Sequence, residues 1–258
     1  MVLAKSEEEI ELLRLNNELV SKTLAEVAKL IRPGVTTLEL DKRAEEYIRD
    51  NGAKPGFLGY NGYPNTLCTS VNSAVVHGIP KATALKDGDI VSVDCGTFLH
   101  GFYGDSAFTF TIGEVSLEVQ RLIKVTRECL ELGIDKAIEG LRVGDISFAV
   151  QKHAESNGYS VVRELVGHGI GRNMHEKPEI PNYGIKGNGP KLINGMVFCI
   201  EPMINMGTRQ VYQERDGWTI KTIDGKPSAH FELAVVVRKG KAERLSTFRY
   251  IDEVLKSS

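Results

Sequence analysis

Two histidines, His168 and His175, stand seven residues apart in VGHGIGRNMHEKP, residues 166–178. A helix would stack that spacing on one face, but Gly167, Gly169, Gly171 and Pro178 disfavour a helix. A strand or loop must therefore present the two imidazoles. Four acidic residues raise a related question. Asp94 interrupts IVSVDCG, Asp105 follows Gly104 in GFYGDSAFTF, Glu201 ends VFCIEP, and Glu232 interrupts AHFELAVVV. Each lies among apolar residues, where an unpaired carboxylate is costly to bury. For one such acid, an Arg or Lys partner or a turn cap is sufficient explanation. For four it fails, because Arg163 and Arg172 are the nearest cations and two cations cannot neutralise four acids. A metal cluster can. Four carboxylates and one imidazole form an oxygen-rich site for hard or borderline divalent ions. Two carboxylates can bridge a pair of ions about 3.5–4 Å apart, and water bound there ionises near neutral pH. No H-E-x-x-H occurs, so this is not a helical zinc-protease site.

The elements that position these residues follow from periodicity. Residues 6–31 predict an amphipathic helix, with Ser6 and Glu9 at capping-box spacing, Ile10, Leu13, Val20, Leu24, Val27 and Ile31 on one side, and Pro33-Gly34 as the stop. A second helix is expected over about 37–50, with Asn51-Gly52 ending it. GFLGYNGYPNTLC is too rich in turn formers to be regular. Strands are expected in VVHGIP, DIVSVDCGTFLHGFYG and SAFTFTIG. Helices over about 116–138 and 145–156 come next, the latter with Asp145 as N-cap. VVRELV, MVFCIEP, WTIKTI and HFELAVVV read as strands again. Helices then strands, twice over, suggests two similar halves. With no linker or low-complexity segment, residues 1–258 are expected to be one α+β domain, with helices packed on a mostly antiparallel sheet.

The bulk composition narrows the function classes. A net charge of −2 gives no basic field for nucleic acid. No apolar run is long enough to span a bilayer, and the charged N-terminal stretch does not resemble a secretory signal. Cys68, Cys95, Cys129 and Cys199 form no CxxC pair, which fits reduced, buried thiols in a cytoplasm.

Five motifs in order resemble type I methionine aminopeptidases across residues 10–245. VDCGTFLHGFYGDSA is similar to their Asp-x10-Asp hairpin, GHGIGRNMHEKP to their G-H-G-I-G-R-x-x-H-E-x-P segment, and FCIEPM to their I-E-P strand. DGWTIKT and SAHFELAVVV resemble their last two site strands, and GFLGYNGYPNTLCTSVNSAVVHGIP their pocket and first-histidine segment. The resemblance implies the pita-bread fold, two pseudo-symmetric halves enclosing two divalent ions. It implies Asp94 on one ion, Asp105 and Glu232 bridging, and His168 and Glu201 on the other. Mn, Fe, Co and Zn all suit such a donor set. His175 is implied to steady the scissile carbonyl, His77 to face the scissile amide nitrogen, and Glu201 to shuttle protons. The glycines around His168 are expected to let backbone run close to the metals.

Tyr60, Tyr63, Cys68 and Trp218 match the family's methionine pocket, and Phe57 and Met174 fall at two further positions of it. Phe57 stands where a cysteine is common and Met174 where a phenylalanine is common. His230 stands where a glutamine is often found; it could approach the metal shell or face solvent, and the second is the favoured expectation. The implied partners are nascent polypeptides with a free amine, met transiently at the ribosome by a monomer. Two other readings remain: a pita-bread protein that binds a partner without catalysis, which retention of all five ligands opposes, and a proline-directed aminopeptidase, which the aromatic pocket segment opposes.

Overall fold

The computed structural model describes residues 4–257. Helices α1 (Glu7–Ala28) and α2 (Thr37–Asp50) open the chain, followed by strands β1 (Lys54–Pro55), β2 (Leu67–Val71), β3 (Ala74–Val76), β4 (Ile90–Leu99) and β5 (Phe102–Thr111). Helices α3 (Leu117–Ile134) and α4 (Val143–Ser156) come next. Strands β6 (Ser160–Val161), β7 (Gly167–Gly169), β8 (Glu176–Ile180), β9 (Val197–Ile200) and β10 (Met203–Asn205) follow. The remaining strands are β11 (Val211–Gln213), β12 (Ile220–Thr222), β13 (Ser228–His230), β14 (Glu232–Val236) and β15 (Glu243–Arg244), and helix α5 (Arg249–Ser257) is last.

The caps explain the helix starts. Ser6 and Glu9 close a reciprocal box at α1, and Thr36 and Glu39 do the same at α2. At α4 the expectation needs correcting. The helix begins at Val143, and Asp145 sits two residues inside it, where its carboxylate accepts from the backbone N–H of Arg142 at 2.9 Å. The long 116–138 helix ends four residues early, at Ile134, and VVRELV contributes only Val161 to a strand, as the second residue of β6.

A nine-stranded sheet runs in the order β1-β4-β5-β14-β9-β7-β8, with β2 paired to β4 and β15 to β14. Its pairings are all antiparallel, as are those of two three-stranded sheets, β13-β10-β6 and β11-β12-β3. Helix α1 lies against the β4–β5 hairpin, and α3 packs on α4 and against strands of the second half. The largest apolar cluster joins Leu24 of α1, Val93 of β4, Ile134 of α3, Phe198 of β9 and Val235 of β14, so both halves share one core.

Candidate metal centre

Strand register gathers the acids. In β4 and β5, Asp94 pairs with Ala107 and Gly96 with Asp105, so Asp94 and Asp105 point to the same face. Ala107 also pairs with Glu232 of β14, which puts Glu232 on that face one strand further on. Leu233 pairs with Ile200, and Glu201 follows it directly at the end of β9. Gly169 of β7 pairs with Phe198, bringing His168 beside the same strand. Two hairpins, β4–β5 and β7–β8, with strands β14 and β9 between them, thus turn five scattered residues into one cluster.

Hydroxyls and amides fix the backbones behind it. The Ser106 hydroxyl donates to the Glu232 carbonyl at 2.7 Å. The Asn182 amide donates to the Glu201 carbonyl at 2.9 Å. Asn17 of α1 accepts from the Asp105 N–H at 3.1 Å, and Asn16 donates to the Phe102 carbonyl and accepts from the Thr97 hydroxyl. These supporting residues have no motif of their own, and the sequence reading missed them.

The five side chains line the base of a cavity of about 240 Å³, shared with Phe57, Tyr60, Tyr63, Cys68, His77, His175 and Trp218. Among the described residues no Lys or Arg lines it. His168 Nε2 lies 3.5 Å from Glu201 Oε1 and 3.9 Å from Asp105 Oδ2, while its Nδ1 sits 2.9 Å from the Gly169 carbonyl. That second contact leaves Nε2 free for the cluster. Asp94 Oδ1, Asp105 Oδ1 and Glu232 Oε1 are buried without a hydrogen-bond partner.

Burial pushes the Asp94 carboxyl up to about 7. It raises Asp105, Glu201 and Glu232 well above the carboxylate range, and the charge of the neighbouring acids adds to the effect. Burial also lowers His168 to about 4 and His77 to about 4, each aided by His175, so both imidazoles are neutral near pH 7. Orphaned carboxylate oxygens, neutral imidazoles and no side-chain cation fit divalent metal ions.

The structure sorts the remaining candidates. His175 stands at the cavity mouth with its ring 4.3 Å from that of His168, and Tyr60 Oη is 2.8 Å from its Nδ1. Phe57, Tyr63, Cys68 and Met174 form one buried cluster with Tyr60 and Trp218 against it, and Trp218 meets Tyr63 edge-on at 5.1 Å. Ile79 and Tyr103 also pack on this cluster and were not foreseen.

One expectation fails. His230 does not face solvent: it is 1% exposed, and its Nε2 points at Glu201 and Glu232. The glycines near His168 also make room for neighbouring strands. A Cβ at Gly167 would lie 2.5 Å from the Cys199 carbonyl, and one at Gly169 2.5 Å from the Lys177 carbonyl.

The sequence model of Metallopeptidase family M24 matches residues 11–239. This chain belongs to that family. A methionine aminopeptidase of Clostridium perfringens is 49% identical over 249 residues, 96% of this chain and 100% of the relative. Methionine aminopeptidase 1 of Bacillus subtilis is 46% identical over 237 residues, covering 92% and 96% of the two chains. The crystal structure of a methionine aminopeptidase from Thermotoga maritima superposes with a TM-score of 0.94 at 43% identity, covering 96% of this chain and 100% of that one. This M24 metallopeptidase therefore has the α+β pita-bread fold that its motifs imply. No helix among its described residues is long and apolar enough to cross a membrane.

Proposed function

We propose that this chain removes the N-terminal methionine from nascent proteins and peptides whose second residue is small, as one catalytic domain using two divalent ions. The observation that carries the reading is the cluster of four buried or half-buried carboxylates and one imidazole at the base of an apolar pocket. Asp94 would hold one ion, Asp105 and Glu232 would bridge, and His168 and Glu201 would hold the other. Bound there, the ions supply Lewis acidity and a water acidified to near neutral pH.

The protein's own groups do the rest. Glu201 would carry a proton to the leaving amine. Tyr60 fixes the His175 ring through Nδ1, leaving Nε2 to donate to the scissile carbonyl oxygen as negative charge grows on it. His77, lining the same cavity, faces the scissile amide nitrogen. Phe57, Tyr60, Tyr63, Cys68, Met174 and Trp218 hold the methionine side chain through apolar and sulfur–aromatic contacts. The acidic floor recognises the substrate's free amine together with the metals, which restricts cleavage to the first residue.

The ions are drawn from Mn, Fe, Co and Zn. The enzyme acts as a monomer in the cytoplasm on chains emerging from the ribosome, without binding nucleic acid or membrane. Hydrolysis of Met-Ala-Ser by chelator-stripped protein resupplied with Mn, Co or Fe tests the reading. Metal-dependent release of free methionine is expected, with none from the amine-blocked peptide. No release under any metal would make this a binding protein instead.

A further inference from the structure

The five-ligand assignment leaves His230 without a part, although its ring lies beside two of the five, Glu201 and Glu232. Burying an imidazole nitrogen with nothing to bond is costly, and native proteins rarely do so. Yet His230 is 1% exposed and its Nε2 has no hydrogen-bond partner. The residue is held firmly in place. Its N–H donates to the Thr109 hydroxyl at 2.9 Å, and that hydroxyl donates back to its carbonyl at 2.7 Å. Strand pairing with Met203 fixes it from the other side.

Nε2 lies 3.9 Å from Glu201 Oε2 and 3.9 Å from Glu232 Oε2. Those separations are too long for hydrogen bonds. They suit a shared ion. Two donors each bound at roughly 2.0–2.2 Å lie at most about 4.4 Å apart. His168 stands in the same relation to the other oxygen of Glu201, at 3.5 Å. Glu201 therefore has one imidazole facing each of its oxygens. His230, Glu201 and Glu232 can offer their ligand atoms within 4.8 Å of one another.

We propose that His230 is a sixth protein ligand, giving the centre a second imidazole and tilting it towards Co, Fe or Zn and away from Mn. The proposal rests on the metal centre set out above. Its chemical logic is that imidazole suits Zn and Fe, whereas a purely carboxylate set suits Mn. Without His230 the centre has four carboxylates to one nitrogen. With it the ratio is two to one.

The test uses chelator-stripped wild-type protein, His230→Ala and His230→Gln, each reloaded with Co or Mn and titrated by calorimetry. X-ray absorption of the Co-loaded proteins counts imidazoles by their outer-shell scattering. The wild type is expected to show two imidazoles per ion pair and His230→Ala one. Cobalt affinity should fall at least ~10-fold in both variants, the low end of the loss seen when even a supporting group is removed. Manganese affinity should fall less, so the Co-to-Mn preference shrinks. One imidazole per pair in the wild type, or unchanged cobalt binding in both variants, would overturn the proposal. If wild-type protein binds no ion at all, the metal centre itself is wrong, a result distinct from either. The wild-type scattering count needs no variant, so a misfolded substitution cannot blur the outcome.

Discussion

Along the floor of the cavity, Asp94, Asp105 and Glu232 emerge from strands paired residue for residue, with Ala107 in register with both Asp94 and Glu232. The wall above is built differently. Phe57, Tyr60 and Tyr63 come from a segment whose only regular piece is a single 3-10 turn at Tyr60–Gly62, and Trp218 from the loop between β11 and β12, while Met174, in the loop between β7 and β8, packs against them and Cys68 alone of the set comes from a paired strand, β2. The floor holds charges whose positions must be right within fractions of an ångström, and a hydrogen-bonded ladder supplies that rigidity. The wall holds apolar volume, for which packing is enough and several side-chain combinations will serve. Substitutions in the floor should therefore act on metal and rate, and those in the wall on substrate affinity.

The largest effect is expected at the floor's centre. Asp105→Ala should abolish activity and binding of the ion pair together, measured by methionine release and calorimetry. Full activity in this variant would remove Asp105 as a bridge and with it the idea of a rigid, all-or-none floor. His175→Ala probes the seam between floor and wall. It should retain both ions while the rate falls roughly 10²–10³-fold, the usual loss for a donor to a developing oxyanion. Loss of metal instead would move His175 from the wall's chemistry to the floor's.

The same contrast explains what the sequence made legible. A carboxylate inside an apolar strand breaks a strong rule, and four such breaks at Asp94, Asp105, Glu201 and Glu232 point to one cause. Nothing comparable marks the wall, since an aromatic such as Trp218 fits core and pocket equally well. The floor's supports are silent for another reason. Asn17 is 88 residues from Asp105 in the chain and Thr109 is 121 from His230, so only the assembled fold reveals those bonds. His230 misled because a histidine carries no fixed preference for burial, and its neighbours settle the matter. Among the elements, α1 and α2 were readable from their caps. The sequence reading left out α5, which has nine residues and buries only Ile251. A helix that short is not stable alone. It depends on tertiary contacts such as Tyr250 with Glu18 of α1, at 3.1 Å, and the Arg127–Asp252 pair.

The smallest effect expected is also the sharpest test of the wall. Phe57 and Met174 are the two positions where the sequence resemblance implies a departure from the common pocket, one towards a larger side chain and one towards a more flexible one. They occupy adjoining space. A Cβ on Gly96 would lie 2.5 Å from the Phe57 ring, and a Cβ on Gly56 would lie 3.0 Å from the Met174 methyl and 2.8 Å from the Gly96 carbonyl carbon. The absence of side chains at Gly56 and Gly96 is what lets Phe57 and Met174 sit down together on the hairpin. If the wall is fixed by total volume, the two departures compensate. Phe57→Cys alone would open a void, and Met174→Phe alone would overfill the cluster. Each should raise KM for Met-Ala-Ser about tenfold with kcat little changed, the scale of a misfit of ~1–3 kcal/mol in an apolar pocket. The double variant should recover most of that loss, because side chains in contact are expected to couple. Purely additive losses would mean that each position fits the substrate on its own and that the wall is as exacting as the floor. A change in metal content in any of the three would show that the two regions are not separable at all.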